Sequence, residues 1–307
     1  MAAPKYMVFN GEIVPFENGT MHIATPAVKY GIGVFEGVRG YWNDTENQLY
    51  VFRLREHMER LKQSMKLLRL DDNYTVDALM DQVLRMIRAN DFRATIQMRV
   101  MAILDGIDTQ RYGTGPVTLC IHGSPKEPHN FLEKGLTAGT SSWVRPSDTA
   151  LPVRVKCNAN YVNGRLAELE ARAGGFDRAI LLNSRGKVSE GPGATMFIVR
   201  KGQPATPGVT SDILESITRD SLIQILKEEF DLDTAQRDID RSEVYAAEEA
   251  FICGTLAEVS PIVSLDGVPV GTGKVGPITR ALQHKYLDIV YGRSDAHPEW
   301  RTAVYAD

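Results

Sequence analysis

Residues 123–130, Gly-Ser-Pro-Lys-Glu-Pro-His-Asn, limit most strongly what this chain can fold into. Two prolines and almost no apolar side chain in eight positions suit neither a helix interior nor a central strand. On each side of this stretch lies a block with its own succession of strand and helix patterns. At 307 residues the chain is long enough for two cores. We therefore expect a small N-terminal domain over residues 1–122, a linker over 123–134 and a larger C-terminal domain over 135–307.

The first block opens with two short apolar runs, residues 6–9 and 12–14, around Asn10-Gly11, a hairpin signal because both turn positions need positive φ. The run from Ala27 to Tyr41 interleaves aromatic, charged and glycine residues. It reads either as a glycine-kinked strand or as backbone that lets a ligand approach closely. A strand at 48–52 precedes a helix with Met58, Leu61, Met65 and Leu68 as its apolar stripe, while Arg53, His57, Arg60 and Ser64 form a separate polar stripe. Such a stripe is either solvated surface or an anion site. Val76, Leu79, Met80, Val83, Leu84 and Ile87 mark a second helix. Strands at 95–104 and 116–122 follow, the first carrying Arg99 among apolar neighbours.

In the second block Val153 and Val155 alternate with Arg154 and Lys156, the period of a strand with two cations on one side. Residues 160–174 read as a helix with Val162, Leu166 and Leu169 apolar and a Gly-Gly stop. Strands at 176–182, 196–199 and 250–253 and helices at 217–228 and 276–291 complete the pattern, with no internal repeat. The fold class is α+β.

Several function classes are excluded by composition. The formal net charge is −4 with no basic cluster, so nucleic acid is not an expected partner. Cys120, Cys157 and Cys253 are far apart and lack metal-ligand spacing, which fits a reducing cytoplasm and no metal site. No apolar run is long enough to cross a membrane or act as an export signal.

The remaining candidates are chemical. A lysine attacks carbonyl carbon only as the neutral amine, and a neighbouring cation such as Arg154 or burial makes that form available to Lys156. Its ordinary reading is a surface lysine. Glu190, in a glycine-rich turn, can hold a pyridinium nitrogen or simply be a surface carboxylate. Ile217 and Thr218 can offer helix N-terminal N–H groups to a phosphate, with Thr255 adding a hydroxyl, or Ser216 can merely cap the helix.

Six runs, in order, carry a resemblance. They are residues 30–39 (Tyr-Gly-Ile-Gly-Val-Phe-Glu-Gly-Val-Arg), Arg53 with residues 57–61, Lys156 with Asn160-Tyr161, Ser189-Glu190-Gly191, residues 217–220 and residues 254–261. Together they resemble the fold-type IV aminotransferases dependent on pyridoxal phosphate, and most closely the branched-chain amino-acid aminotransferases. The resemblance implies a two-domain fold with a small N-terminal α/β domain and a larger, barrel-like C-terminal one. It implies that Lys156 forms the Schiff base and carries the catalytic proton, that Glu190 pairs with the ring nitrogen, that Tyr161 bonds the phenolic oxygen and that Leu214 packs on the ring. Arg60, Ile217, Thr218 and Thr255 would hold the phosphate.

The same resemblance assigns Tyr30, Phe35, Gly37, Arg39, Gln97, Arg99, Thr255, Leu256 and Ala257 to the substrate. It implies a site between the domains, the linker as a lid, and a homodimer acting on an amino donor and an oxo acid such as 2-oxoglutarate. Gln97 and Lys126-Glu127 depart from the branched-chain pattern, where aromatic residues are expected. R-selective amine transaminases of the same fold therefore stay open as an alternative. D-amino-acid aminotransferases fit less well, because Met101 stands where they carry histidine, and aminodeoxychorismate lyase is a more distant relative. A catalytically silent binding protein is the alternative outside enzymes, and the presence of Lys156, Glu190 and Tyr161 speaks against it.

Overall fold

The computed structural model describes residues 4–126 and 131–305. The chain forms two compact units: Met1–Glu127 with Val155–Ala159 and Asp288–Asp307, and Pro128–Arg154 with Asn160–Leu287.

In the first unit β1 (Tyr6–Phe9) and β2 (Glu12–Pro15) pair through Asn10 and Gly11 at φ 51° and 86°, the angles an Asn-Gly hairpin requires. The stretch read as a kinked strand is a short helix and a strand. α1 (Pro26–Tyr30) ends at left-handed Gly31, and β3 (Gly33–Asn43) follows. Then come β4 (Gln48–Phe52), α2 (Leu54–Leu67), α3 (Val76–Asn90), β5 (Ile96–Leu104) and β6 (Val117–Pro125). α2 packs on β3, and α3 on β1 and β6. Along β5, Ile96, Met98, Val100 and Ala102 are buried while Gln97, Arg99 and Met101 are partly exposed. One sheet face thus belongs to the core and the other carries polar groups.

The second unit contains α4 (Phe131–Lys134), β7 (Leu136–Thr140), α5 (Asn160–Ala173), β8 (Arg178–Ile180), β9 (Glu190–Gly191), β10 (Ala194–Arg200) and β11 (Gln203–Thr206). It continues through α6 (Ile217–Phe230), β12 (Ala235–Gln236), α7 (Arg241–Tyr245), β13 (Glu249–Gly254), β14 (Glu258–Leu265) and β15 (Val268–Pro269). Its sheet runs β12-β11-β10-β13-β14-β7-β8, with β9 on β10 and β15 on β14. Leu136, Ile180, Met196, Ile198, Ile252 and Ile262 form the centre of its apolar core. The chain ends with α8 (Pro277–Val290) and β16 (Arg301–Ala303), which pairs with β4 and completes the first sheet as β16-β4-β3-β5-β6-β1-β2.

Several elements differ from the sequence expectation. Of the segment 123–134, residues 123–125 close β6 and 131–134 form α4. Residues 127–130, with the expected lid and Glu127, lie outside the described residues. Residues 155–159 and the chain's last twenty group with the N-terminal unit. α5 buries Asn160, Gly164, Ala167 and Ala171, whereas Val162 and Leu169 are 60% and 48% exposed. Small residues let this helix lie close to its neighbours: a Cβ at Gly164 would be 3.1 Å from that of Pro192. Among the described residues no helix is long and apolar enough to cross a membrane, and no cluster of three or more His, Cys, Asp or Glu groups is placed to hold a metal.

Candidate active site

Lys156 is positioned by the edge of β3. β4 pairs with β3 only from Gly40 to Asn43, which leaves the earlier part of that edge for another segment. The stretch around Lys156 takes this place. Phe35 N donates to Lys156 O at 2.9 Å, Asn158 N donates to Gly33 O at 3.0 Å, and Cys157 bridges Val34. The strand expected here is reduced to this one bridge, because turns at Val153–Arg154 and at Asn158–Ala159 bend the chain on both sides. The alternation survives as burial: Val153 and Val155 are 1% exposed, and Arg154 and Lys156 alternate with them, partly exposed. Arg154, expected as the cation beside Lys156, instead pairs with Glu215 at 2.8 Å and Asp148 at 3.3 Å.

The polar stripe of α2 is not solvated surface. His57 and Ser64 are buried, and Ser64 Oγ accepts a hydrogen bond from Lys156 N at 3.2 Å. One turn earlier, Arg60 Nε and Nη2 each donate to a different oxygen of Glu36 at 2.7 Å. His57 Nδ1 is 2.7 Å from the same carboxylate. Burial alone would raise the Glu36 carboxyl, but the charge and hydrogen bonds of Arg60, helped by His57, hold it down to about 2. Burial also lowers His57, the Arg60 and Lys156 charges add to this, and Glu36 opposes it. Glu36 thus fixes the Arg60 fork. His57 is expected only as part of the polar stripe and Glu36 has no expected role; a lone Glu in Phe-Glu-Gly gives no sign of its partners.

Five of the expected substrate residues share one face of the first sheet. Gly37 is in register with Arg99, and Arg39 with Gln97, while Phe35 lies two residues before Gly37. Arg99 Cζ stands 4.3 Å from the Phe35 ring centroid and Lys156 Nζ 5.2 Å from the same ring. A Cβ at Gly37 would meet nothing within 4 Å, so the face is open in front of that glycine. Arg39 is 1% exposed, whereas Tyr30, at the end of α1, is 52% exposed. His122, in register with Arg99 across β6, extends the polar row and was not foreseen.

The second unit carries the remaining candidates, among them Glu190 and Leu214 in direct contact. The Glu190 carboxylate accepts from Leu214 N at 3.2 Å through Oε2 and pairs with Arg145 Nη2 at 2.7 Å through Oε1. Leu214 leads into α6, whose N-cap Ser216 accepts from Arg219 N at 3.2 Å. Ile217 and Thr218 supply the N–H groups that precede the first intrahelical bonds, where the helix dipole favours an anion. The turn with Thr255 and Leu256 approaches the β9–β10 turn that follows Glu190: a Cβ at Gly254 would stand 2.8 Å from Gly193 O, so only glycine permits the approach. Ala257, the last residue of that turn, is 8% exposed. Tyr161 opens α5 and is 41% exposed. Arg145 is another residue the sequence did not single out.

The description "Amino-transferase class IV" belongs to the family model that matches residues 33–265. A probable branched-chain-amino-acid aminotransferase of Aquifex aeolicus is 38% identical over 98% of this chain and 97% of its own length. Among solved structures, the branched-chain amino acid aminotransferase of Thermobaculum terrenum in its PLP form superposes with a TM-score of 0.93 at 41% identity, covering 100% of both chains. The branched-chain aminotransferase of Thermoproteus uzoniensis with norvaline gives 0.94 at 38% identity over 98% of this chain and 100% of its own.

The cofactor is pyridoxal 5'-phosphate, and the residues present fit it. Thr195 Oγ1, in register with Glu190 and Cys253, is buried with no hydrogen-bond partner among the described residues. A Cβ at Gly193 would meet nothing within 4 Å. A carboxylate, an orphaned hydroxyl and open backbone thus stand together where a polar ring can lie. The chain belongs to the class IV aminotransferase family.

Proposed function

We propose that this aminotransferase moves the amino group of a branched-chain L-amino acid to a 2-oxo acid such as 2-oxoglutarate. The carrying observation is the β3–β5 face, where the apolar Phe35 ring adjoins the open position at Gly37 and the Arg99 cation. An apolar wall with space suits a branched side chain, and a guanidinium suits a carboxylate. The names of the relatives agree with this substrate class.

When bound, the cofactor supplies an electron sink for the bond broken at the substrate's α-carbon. Lys156 would hold the cofactor's aldehyde carbon, and its freed amine would carry the proton taken from the substrate's α-carbon. Glu190 holds the ring nitrogen, Tyr161 the phenolic oxygen, and Leu214 packs on the ring. Arg60, Ile217, Thr218 and Thr255 hold the phosphate, with Arg60 oriented by Glu36. Tyr30, Phe35, Gly37, Arg39, Gln97, Arg99, Thr255, Leu256 and Ala257 orient the substrate.

A homodimer is part of the reading, supported by Tyr30, Ile107 and Tyr112, which are 52%, 57% and 80% exposed on the first unit. A single-chain mass in light scattering would contradict it. A cytoplasmic location is supported by three buried free cysteines.

Half-reactions of the holoenzyme with L-leucine, D-alanine and R-1-phenylethylamine test the substrate. The cofactor band near roughly 410 nm should disappear with L-leucine. No change with leucine but turnover of the amine would replace the proposed donor with a carboxylate-free one.

A further inference from the structure

The Arg145–Glu190 pair goes beyond holding a carboxylate in place. Glu190 is 4% exposed, and the two side chains are 11% and 6% exposed in the order Arg145, Glu190. Both residues are anchored by backbone to the same segment. Arg145 N donates to Leu182 O at 2.8 Å, and Leu181 N donates to Glu190 O at 3.0 Å. Arg145 Nε is buried with no hydrogen-bond partner among the described residues. A buried guanidinium with one donor unsatisfied is unfavourable for stability, so a role in stability alone does not explain its presence.

The effect of Arg145 depends on where one proton lies. A carboxylate facing a pyridine nitrogen shares a proton with it, and the proton has two placements. On the oxygen it leaves a neutral acid and a neutral pyridine; on the nitrogen it leaves a carboxylate and a pyridinium. Arg145 touches only the carboxylate end, at 2.7 Å. Its charge therefore stabilises the placement in which the carboxylate is ionised. Leu214 N–H, which donates to the other oxygen at 3.2 Å, acts in the same sense. Cys253 does not compete, because burial pushes its thiol up and keeps it neutral.

We propose that Arg145 is a positioning residue that, through Glu190, keeps the shared proton on the cofactor's ring nitrogen. The inference rests on the reading that Glu190 holds that nitrogen. No proton is gained or lost overall: the proton leaves the Glu190 oxygen and binds the ring nitrogen, whose electron pair it takes up. The protonated ring draws electrons from the substrate more strongly, so Arg145 acts on the chemical step without touching substrate.

The test is the 15N chemical shift of the ring nitrogen in holoenzyme reconstituted with ring-labelled pyridoxal phosphate. The parent enzyme should show a pyridinium signal. Arg145→Met should move it toward unprotonated pyridine, and Arg145→Lys, which keeps a cation, should return it toward the parent value. The kcat of Arg145→Met should fall by about tenfold or more, the effect of one pKa unit at the ring nitrogen, with the donor KM little changed. If Arg145→Met does not fold, the difference between Arg145→Gln and Arg145→Lys reads the same charge effect. A pyridinium signal unchanged in the neutral variants overturns the inference. An unchanged signal in Glu190→Gln would instead overturn the assignment of Glu190, so the two failures are distinguishable.

Discussion

A carboxylate with no solvent contact persists at residue 36 because three nitrogen atoms from α2 converge on it, two from Arg60 and one from His57. Removing the anion leaves a buried guanidinium without its counter-charge, which is usually worse than never having had the pair. Glu36→Ala should lower apo-protein stability by about 3–5 kcal/mol, and Glu36→Gln by less, since the amide keeps an acceptor. A urea denaturation midpoint unchanged in Glu36→Ala would show that the pair contributes nothing. Lys156→Ala should lose turnover by at least about a thousandfold together with the cofactor's visible band, because no other amine takes over a covalent role. Wild-type turnover in that variant would remove Lys156 from the chemistry. Lys156 is singled out by its six-run context, not by its own surroundings. The partnerships of Glu36, His57 and Arg145 were not legible, because each acts through a partner more than twenty residues away in sequence, and neither spacing nor residue type records such pairs.

Elements built from caps and turns were the most legible. Ser216 announced α6 and does cap it, and Asn10-Gly11 announced the first hairpin. Those built by tertiary packing were not. α5 seats itself by Gly164, Ala167 and Ala171 rather than by its larger apolar residues. β14 is not among the expected strands; it holds a proline, unusual in a central strand, yet lies between β13 and β7, with Pro261 opposite Phe251. The close approach of the β13–β14 turn to the β9–β10 turn makes a prediction at this scale. In Gly254→Ala the new Cβ would be 2.8 Å from Gly193 O, which is backbone and cannot simply rotate away. The turns must separate, at a cost of about 1–3 kcal/mol. Absorbance titration with pyridoxal phosphate should show weaker binding, and parent-like binding would mean that the two turns need not touch.

At the scale of the molecule, folding returns residues 155–159 to a sheet begun at residue 6, placing Lys156 against Phe35 and Ser64. No local pattern encodes a return over such a sequence distance. One consequence is a linked acid sensitivity. His57 is lowered below its ordinary 6.5 by burial and by the cations around it, so the unfolded chain binds its proton first as pH falls. Stability that is complete above pH 6.5 is therefore lost as pH drops below it, with a slope of up to about 1.4 kcal/mol per pH unit. Glu36, held down to about 2 from 4.5, adds a second loss between those values. Glu243, also held down to about 2, mainly by its hydrogen bond to Arg237, shares that acid range but is more exposed and contributes less. His122, lowered by burial and by the Arg99 charge, shares the upper window with His57. In His57→Gln, which keeps a donor toward Glu36, the decline below pH 6.5 should become shallower, with the His122 share remaining, while the decline below pH 4.5 persists. Urea denaturation of both proteins across this range measures the difference, and parallel curves would mean that His57 titrates alike in the folded and unfolded chain.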